Sequence, residues 1–156
     1  MQMQRPVYTE PVGEAKPSEV AIRAWARFVR VEQSLLGAVE EDLKAAALPP
    51  LVWYDVLLEL VREPDGRLRH RDLHHRMLLA KYNLSRLLDR MEAGRLIERQ
   101  PVDDDARGEY VRVTTQGRDL QKRMWPIYRR AIARGFSSRL RADEVNQLLR
   151  ILGKLA

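Results

Sequence analysis

Between residues 69 and 113 the spacing of apolar side chains switches from the 3.6-residue period of helices to the two-residue alternation of strands. Two short helical segments come first, about 69–77 and 81–93. The second carries Leu84, Leu87, Leu88 and Met91 at i, i+3, i+4 and i+7, which is one buried face. Two strand-like runs follow, Leu96-Ile97-Glu98-Arg99 and Tyr110-Val111-Arg112-Val113, on either side of the polar segment QPVDDDARGE. That segment reads as a hairpin with a long charged tip.

Two short helices followed by a hairpin is the order of a winged helix-turn-helix. The flanks are helical and longer. Ser18 is an N-cap candidate, and Ala21, Trp25, Phe28, Val29, Leu35, Leu36, Val39 and Leu43 form a stripe interrupted by Glu32 and stopped by Leu48-Pro49-Pro50. A helix over 51–62 turns its Val52, Val56, Leu57, Leu60 and Val61 inward and ends at the Pro64-Asp65-Gly66 turn. Thr114 caps a long helix to about Ser138, which Pro126 should bend. A last helix, about 143–155, presents Val145, Leu148, Leu149, Leu152 and Leu155. The expected fold is mainly α: six helices with a two- or three-stranded β-wing. Residues 1–17, with three prolines, read as a flexible arm, 48–114 as the winged domain, and 18–47 with 115–156 as a helical dimerisation region. The terminal helices would leave apolar stripes exposed in a monomer, which predicts a homodimer.

Charge is unevenly distributed. The net of +6 hides −4 over residues 1–66, +5 over 67–99, −3 over 100–106 and +8 over 107–141. Positive charge gathers in the half that holds the helix-turn-helix, as a polyanionic partner requires; the competing reading is a merely solvated basic surface. With no Cys, disulfides, thiol nucleophiles and Cys-ligated zinc are excluded. No uncharged apolar stretch is long enough to span a membrane, and the first residues lack the apolar core of a secretory signal, so a cytoplasmic location is expected.

The stretch RLRHRDLHHRMLLAKYNLSRLLDRMEAGRLIERQ resembles, without gaps, the MarR family of bacterial transcriptional regulators, including its Leu-x-x-Arg-Leu-x-Asp-Arg-Leu-Glu core. PVDDDARGEYVRVTTQG is similar to that family's wing, with Asp105 and Arg107 on its Asp-x-Arg tip and a Thr-x-x-Gly helix start. Two positions depart. Ala80 stands where the family commonly has a capping Ser, and the glycine before the first wing strand sits one place early, at Gly94, with Arg95 in its usual position. The resemblance implies a sequence-specific regulator that binds double-stranded DNA as a homodimer, acts as a repressor at a pseudo-palindromic operator and is released by a small aromatic or phenolic effector. It implies no enzyme and no cofactor.

On the outer face of the recognition helix stand Tyr82, Ser85, Arg86, Asp89 and Arg90, with Lys81 at its start. Lys81, Tyr82, Ser85 and Arg86 are the expected DNA surface, because base edges need directional donors and acceptors. Tyr82 can equally pack on its own domain, and the resemblance implies that Asp89 and Arg90 pair to brace it. Arg67, Arg69, Arg71 and Arg76 lie before or on the preceding helix and suit phosphates; Arg69 and Arg71 are taken as contacts. Arg107 is expected in the minor groove, oriented by Asp105; the alternative pairs it with Asp103 to Asp105 on a solvated loop. For the effector, Trp25, Trp53 and Tyr54 are candidate lining residues, Trp125 and Tyr128 add aromatic surface, and Arg23 or Arg27 would meet a carboxylate; aromatics at helical spacing also simply fill cores. His70, His74 and His75 lie close together but lack an evident further ligand, so no metal site is assigned. The competing function is a winged-helix protein–protein interaction module that never touches DNA.

Overall fold

The computed structural model describes residues 16–79, 83–103 and 105–155, with only the backbone of 105–107. Residues 1–15 of the expected arm, Lys81 and Tyr82 lie outside the described residues. The chain divides into two units at Gln33/Ser34. The first contributes, among its described residues, the opening turns of α1 (Glu19–Ala45), capped by Ser18 Oγ, which accepts from the Ala21 N–H at 3.1 Å. Its apolar side chains Val20, Ile22, Trp25, Phe28 and Val31 are exposed.

In the second unit α1 ends through Ala47 in the left-handed region (φ 55°), and Leu48 N–H closes on Leu43 O at 2.9 Å. Pro49 and Pro50 cannot continue the helix, and α2 (Leu51–Arg62) starts at once. Its first N–H, on Leu51, donates to Glu40 Oε1 of α1 at 3.1 Å. α2 is the centre of the domain: Leu51, Val52, Tyr54, Val56, Leu57 and Leu60 are all buried. Val61, expected inward, is half-buried.

Gly66 (φ 68°) turns the chain into β1 (Arg67–Arg69), a strand that the alternation was too short to announce. α3 (His70–Arg76) and α4 (Leu84–Ala93) follow. β2 (Ile97–Val102) and β3 (Asp105–Val113) form the wing, and the sheet order is β1-β3-β2, antiparallel throughout. The long tip expected between the strands is instead largely strand: pairing runs from Ile97↔Val113 to Val102↔Asp105, with an irregularity at Pro101/Val102. Strand hydrogen bonds satisfy the polar backbone that a loop would leave to water.

Thr114 Oγ1 accepts from Gly117 N–H at 3.0 Å and caps α5 (Thr115–Gly135), within which Pro126 lies. A 3-10 turn (Ser137–Arg139) leads to α6 (Ala142–Leu152), none of whose residues is buried. One core joins Val39 and Leu43 of α1 to Leu57 and Leu60 of α2, Leu73 of α3, Leu87, Leu88 and Met91 of α4, Ile97 and Val111 of the sheet, and Leu120 and Met124 of α5. Among the described residues no helix is long and apolar enough to cross a membrane.

Candidate nucleic-acid interface

α4 is capped by Asn83, whose side chain accepts from Arg86 N–H at 3.2 Å. Ala80 is therefore not the residue that has to cap it; the helix starts at Leu84, three residues later than its periodicity suggests, because Asn83 satisfies the first free N–H groups. Leu84, Leu87, Leu88 and Met91 face the core, and Ser85, Arg86, Asp89 and Arg90 face outward, exposed. Both Arg86 and Arg90 are exposed, and neither has an ion-pair partner among the described residues.

Asp89 does not brace Arg90. It pairs with Arg99 of β2 at 2.5 Å, and Arg99 also meets Glu92 at 3.1 Å and Glu109 at 3.6 Å. Residues one apart on a helix point in different directions, whereas the strand packed beside α4 brings Arg99 within reach of Asp89 and Glu92 together. Burial alone would lower the Arg99 pKa; hydrogen bonds to Asp89 and Glu92 outweigh it, and the guanidinium sits above its ordinary value.

Arg67 and Arg69 are strand residues, not helical ones. Both guanidiniums lie over the Tyr110 ring, at 4.6 and 5.7 Å from its centroid, and Arg67 also pairs with Asp65 at 2.7 Å. Arg71 is on α3, exposed, with Asp72 at 3.6 Å; Arg76 pairs with Glu63 of the α2 end. His70 Nε2 lies 3.5 Å from Ser85 Oγ, so the helix before the recognition helix touches it at the outer face. Among the described residues no three metal-ligating side chains gather. Asp105 and Arg107 are on β3 at the start of the outgoing wing strand.

Of the three expected effector residues, Tyr54 lines a cavity of about 290 Å³ between α2, α5 and the turn at Leu78 and Leu79. Trp53 packs half-buried against the core and does not line it; Trp25, in the first unit, is 69% exposed. Tyr128 lines the cavity with Tyr54, the two rings meeting edge to face at 5.3 Å, and Trp125 stacks on Tyr54 at 6.2 Å. Burial raises the pKa of both tyrosines, so their hydroxyls stay neutral. Asp55 and Glu59, buried polar residues inside the apolar α2, also line it, and no motif in the sequence marks them.

A family model described as the MarR family matches residues 48–108, which span α2 to the start of the outgoing wing strand. Over these residues the chain is similar to the MarR family. The chain is 27% identical over 136 residues to YkoM, an HTH-type transcriptional regulator of Bacillus subtilis (strain 168), covering 87% of this chain and 86% of YkoM. It shares its fold with Sco3205, a MarR family transcriptional regulator from Streptomyces coelicolor solved in complex with DNA: TM-score 0.80, 23% identity, 91% of this chain and 89% of that one. The organohalide-sensing regulator RdhR-CbdbA1625, solved with 2,4-dichlorophenol bound, matches with a TM-score of 0.75 at 20% identity over 97% and 88% of the two chains. All three of these similar proteins are named as transcriptional regulators.

Proposed function

We propose that this protein is a transcriptional regulator that binds a pseudo-palindromic operator as a homodimer and represses by occupying it. The observation that carries the reading is the outer face of α4, where Ser85 and Arg86 stand exposed with Arg86 unpaired among the described residues. An exposed Arg without an ion-pair partner on the outer face of a recognition helix suits guanine recognition in a major groove. Lys81 and Tyr82 would extend this surface before the helix, Arg71 and Arg69 would meet phosphates, and Arg107, oriented by Asp105, would enter the minor groove. Arg69 must leave part of its stacking on Tyr110 to do so. Where the operator overlaps the polymerase site, occupancy alone would block transcription, so repression would need no further surface.

Two apolar faces support the dimer. α1 exposes Val20, Ile22, Trp25, Phe28 and Val31, and α6 exposes Leu149 and Ile151, with Leu155 just beyond it. Such faces are usually covered by a partner. A small aromatic effector is favoured by the Tyr54–Tyr128 cavity, and its binding would change DNA affinity by reciprocal coupling.

Gel shifts on genomic fragments over a range of salt test the reading. Arg107→Ala should cost about 1–3 kcal/mol of DNA affinity and lower the salt slope by about one charge. Leu149→Asp should give monomers and abolish binding together. A wild-type monomer by light scattering at micromolar concentration would contradict the dimer, and an Arg107→Ala variant that binds like the wild type at every salt concentration would remove the wing from the interface.

A further inference from the structure

Of the four charged residues that line the cavity, Asp55 alone has no ion-pair partner among the described residues. Arg62 is paired with Glu59 at 2.8 Å and Arg76 with Glu63. Asp55 is only 6% exposed, and its Oδ2 accepts the Leu79 N–H at 2.7 Å. A buried carboxylate ordinarily has a counter-charge, and here the space where one would stand is open. The remaining walls are the Tyr54 and Tyr128 rings and the side chains of Leu51, Leu58, Leu78 and Leu79. Aromatic rings beside a carboxylate attract a cation with an apolar body. An anion placed there would face Asp55, while Arg62 and Arg76 each already have a carboxylate partner.

We propose that this cavity binds a small organic cation bearing one aromatic group, with Asp55 as its counter-ion. The inference rests on the regulator reading above and gives its effector a charge opposite to that of an aromatic acid. It also supplies a route to the DNA-binding helix. Leu79 lies four residues before Asn83, the α4 cap, and Asp55 holds the backbone there. A cation that draws the Asp55 carboxylate to itself weakens its bond to Leu79 N–H, so cation and DNA would oppose each other.

The test titrates full-length protein calorimetrically near neutral pH with phenethylammonium, phenethyl alcohol and hydrocinnamate, three ligands of one shape and different charge. The ammonium should bind about tenfold or more tightly than either other ligand. Asp55→Asn keeps an oxygen that accepts from Leu79 N–H, so it should fold normally and lose the preference for the ammonium. Leu58→Trp fills the cavity and should abolish binding of all three. In gel shifts the ammonium should weaken DNA binding by the wild type and not by Asp55→Asn. Equal binding of alcohol and ammonium, tighter hydrocinnamate, no ammonium binding up to millimolar concentration, or binding indifferent to both substitutions would each overturn the proposal. Its failure is separable from that of the regulator reading. Specific DNA binding without cation preference sinks only this inference, and cation binding by a protein that ignores DNA sinks only the other.

Discussion

Asp89 on the outer face of α4 and Arg99 on the first wing strand meet at 2.5 Å. Arg99 is 22% exposed and shares its donors with Glu92 and Glu109, so one side chain ties the recognition helix to both wing strands. On the proposed reading helix and wing enter neighbouring grooves of one duplex, and this contact would set one relative to the other. Arg99 would then be a positioning residue rather than a DNA contact.

Arg99→Gln should therefore cost about 1 kcal/mol of stability, since the stranded carboxylates are half-exposed and readily solvated, while lowering DNA affinity further than that loss explains. Urea melts read the first effect and gel shifts the second. A folded variant with wild-type affinity would show that the clamp has no part in presenting the helix.

Arg95 adopts φ 57°, a left-handed conformation that costs a side-chain-bearing residue about 1 kcal/mol or more. Gly94, beside it, has an ordinary φ of −77°. Arg95→Gly should raise stability by about 1 kcal/mol, while the hydrogen bond from Thr114 Oγ1 to the Arg95 carbonyl, which needs no side chain at 95, is retained. An unchanged or lower melting midpoint would mean that the strain is relieved in solution.

Gly117 sits where the α5 start crosses the entry to the wing. A Cβ there would collide with the Leu96 carbonyl and come within 2.8 Å of Val113 Cγ2 and 3.1 Å of Leu57 Cδ2. The Leu96 carbonyl already accepts Thr114 N–H at 3.0 Å and cannot simply move aside. Gly117→Ala should cost about 1–3 kcal/mol through overpacking. A variant as stable as the wild type in urea would contradict this close approach.

Tyr54 and Tyr128 predict a limit at alkaline pH. Burial raises both pKa values above the ordinary 10.0; for Tyr128 the neighbouring Tyr54 and Asp55 add to the effect, whereas Gln121 and Arg62 oppose it at Tyr54. The folded state thus holds the phenol protons more tightly than the unfolded chain. Their contribution is fully present below pH 10.0, and is lost as pH rises through the folded-state values. Replacing both by Phe should flatten the fall of the urea midpoint above that pH; an equally steep fall would assign it to other groups.

Much of this was legible along the chain because it is local. Ser18 and Thr114 announced their caps, and the i, i+3, i+4, i+7 apolar face of α4 is buried as its spacing requires. Asn83 was a visible capping signal, but Lys81 and Tyr82 fit the helical spacing and masked it. β1 is only three residues long, and its existence depends on pairing Leu68 with Val111, far along the chain. Arg99 and Asp55 were missed for the same reason. Each gains its meaning from a residue ten or more positions away, which periodicity cannot register. Aromatic character alone does not say which side of a helix faces a space, and of Trp25, Trp53 and Tyr54 only Tyr54 lines the cavity beside α2.

The central claim is that two copies of the outer face of α4 read two half-sites. Footprinting at nucleotide resolution on a fragment selected from genomic DNA tests it most directly, with Arg86→Ala in parallel. The wild type should protect two symmetric half-sites about one helical turn apart. Arg86→Ala should lose about 1–3 kcal/mol at its contacted base pair and tolerate substitution there. Protection of a single asymmetric site, or an Arg86→Ala footprint with unchanged affinity and unchanged base preference, would contradict the account.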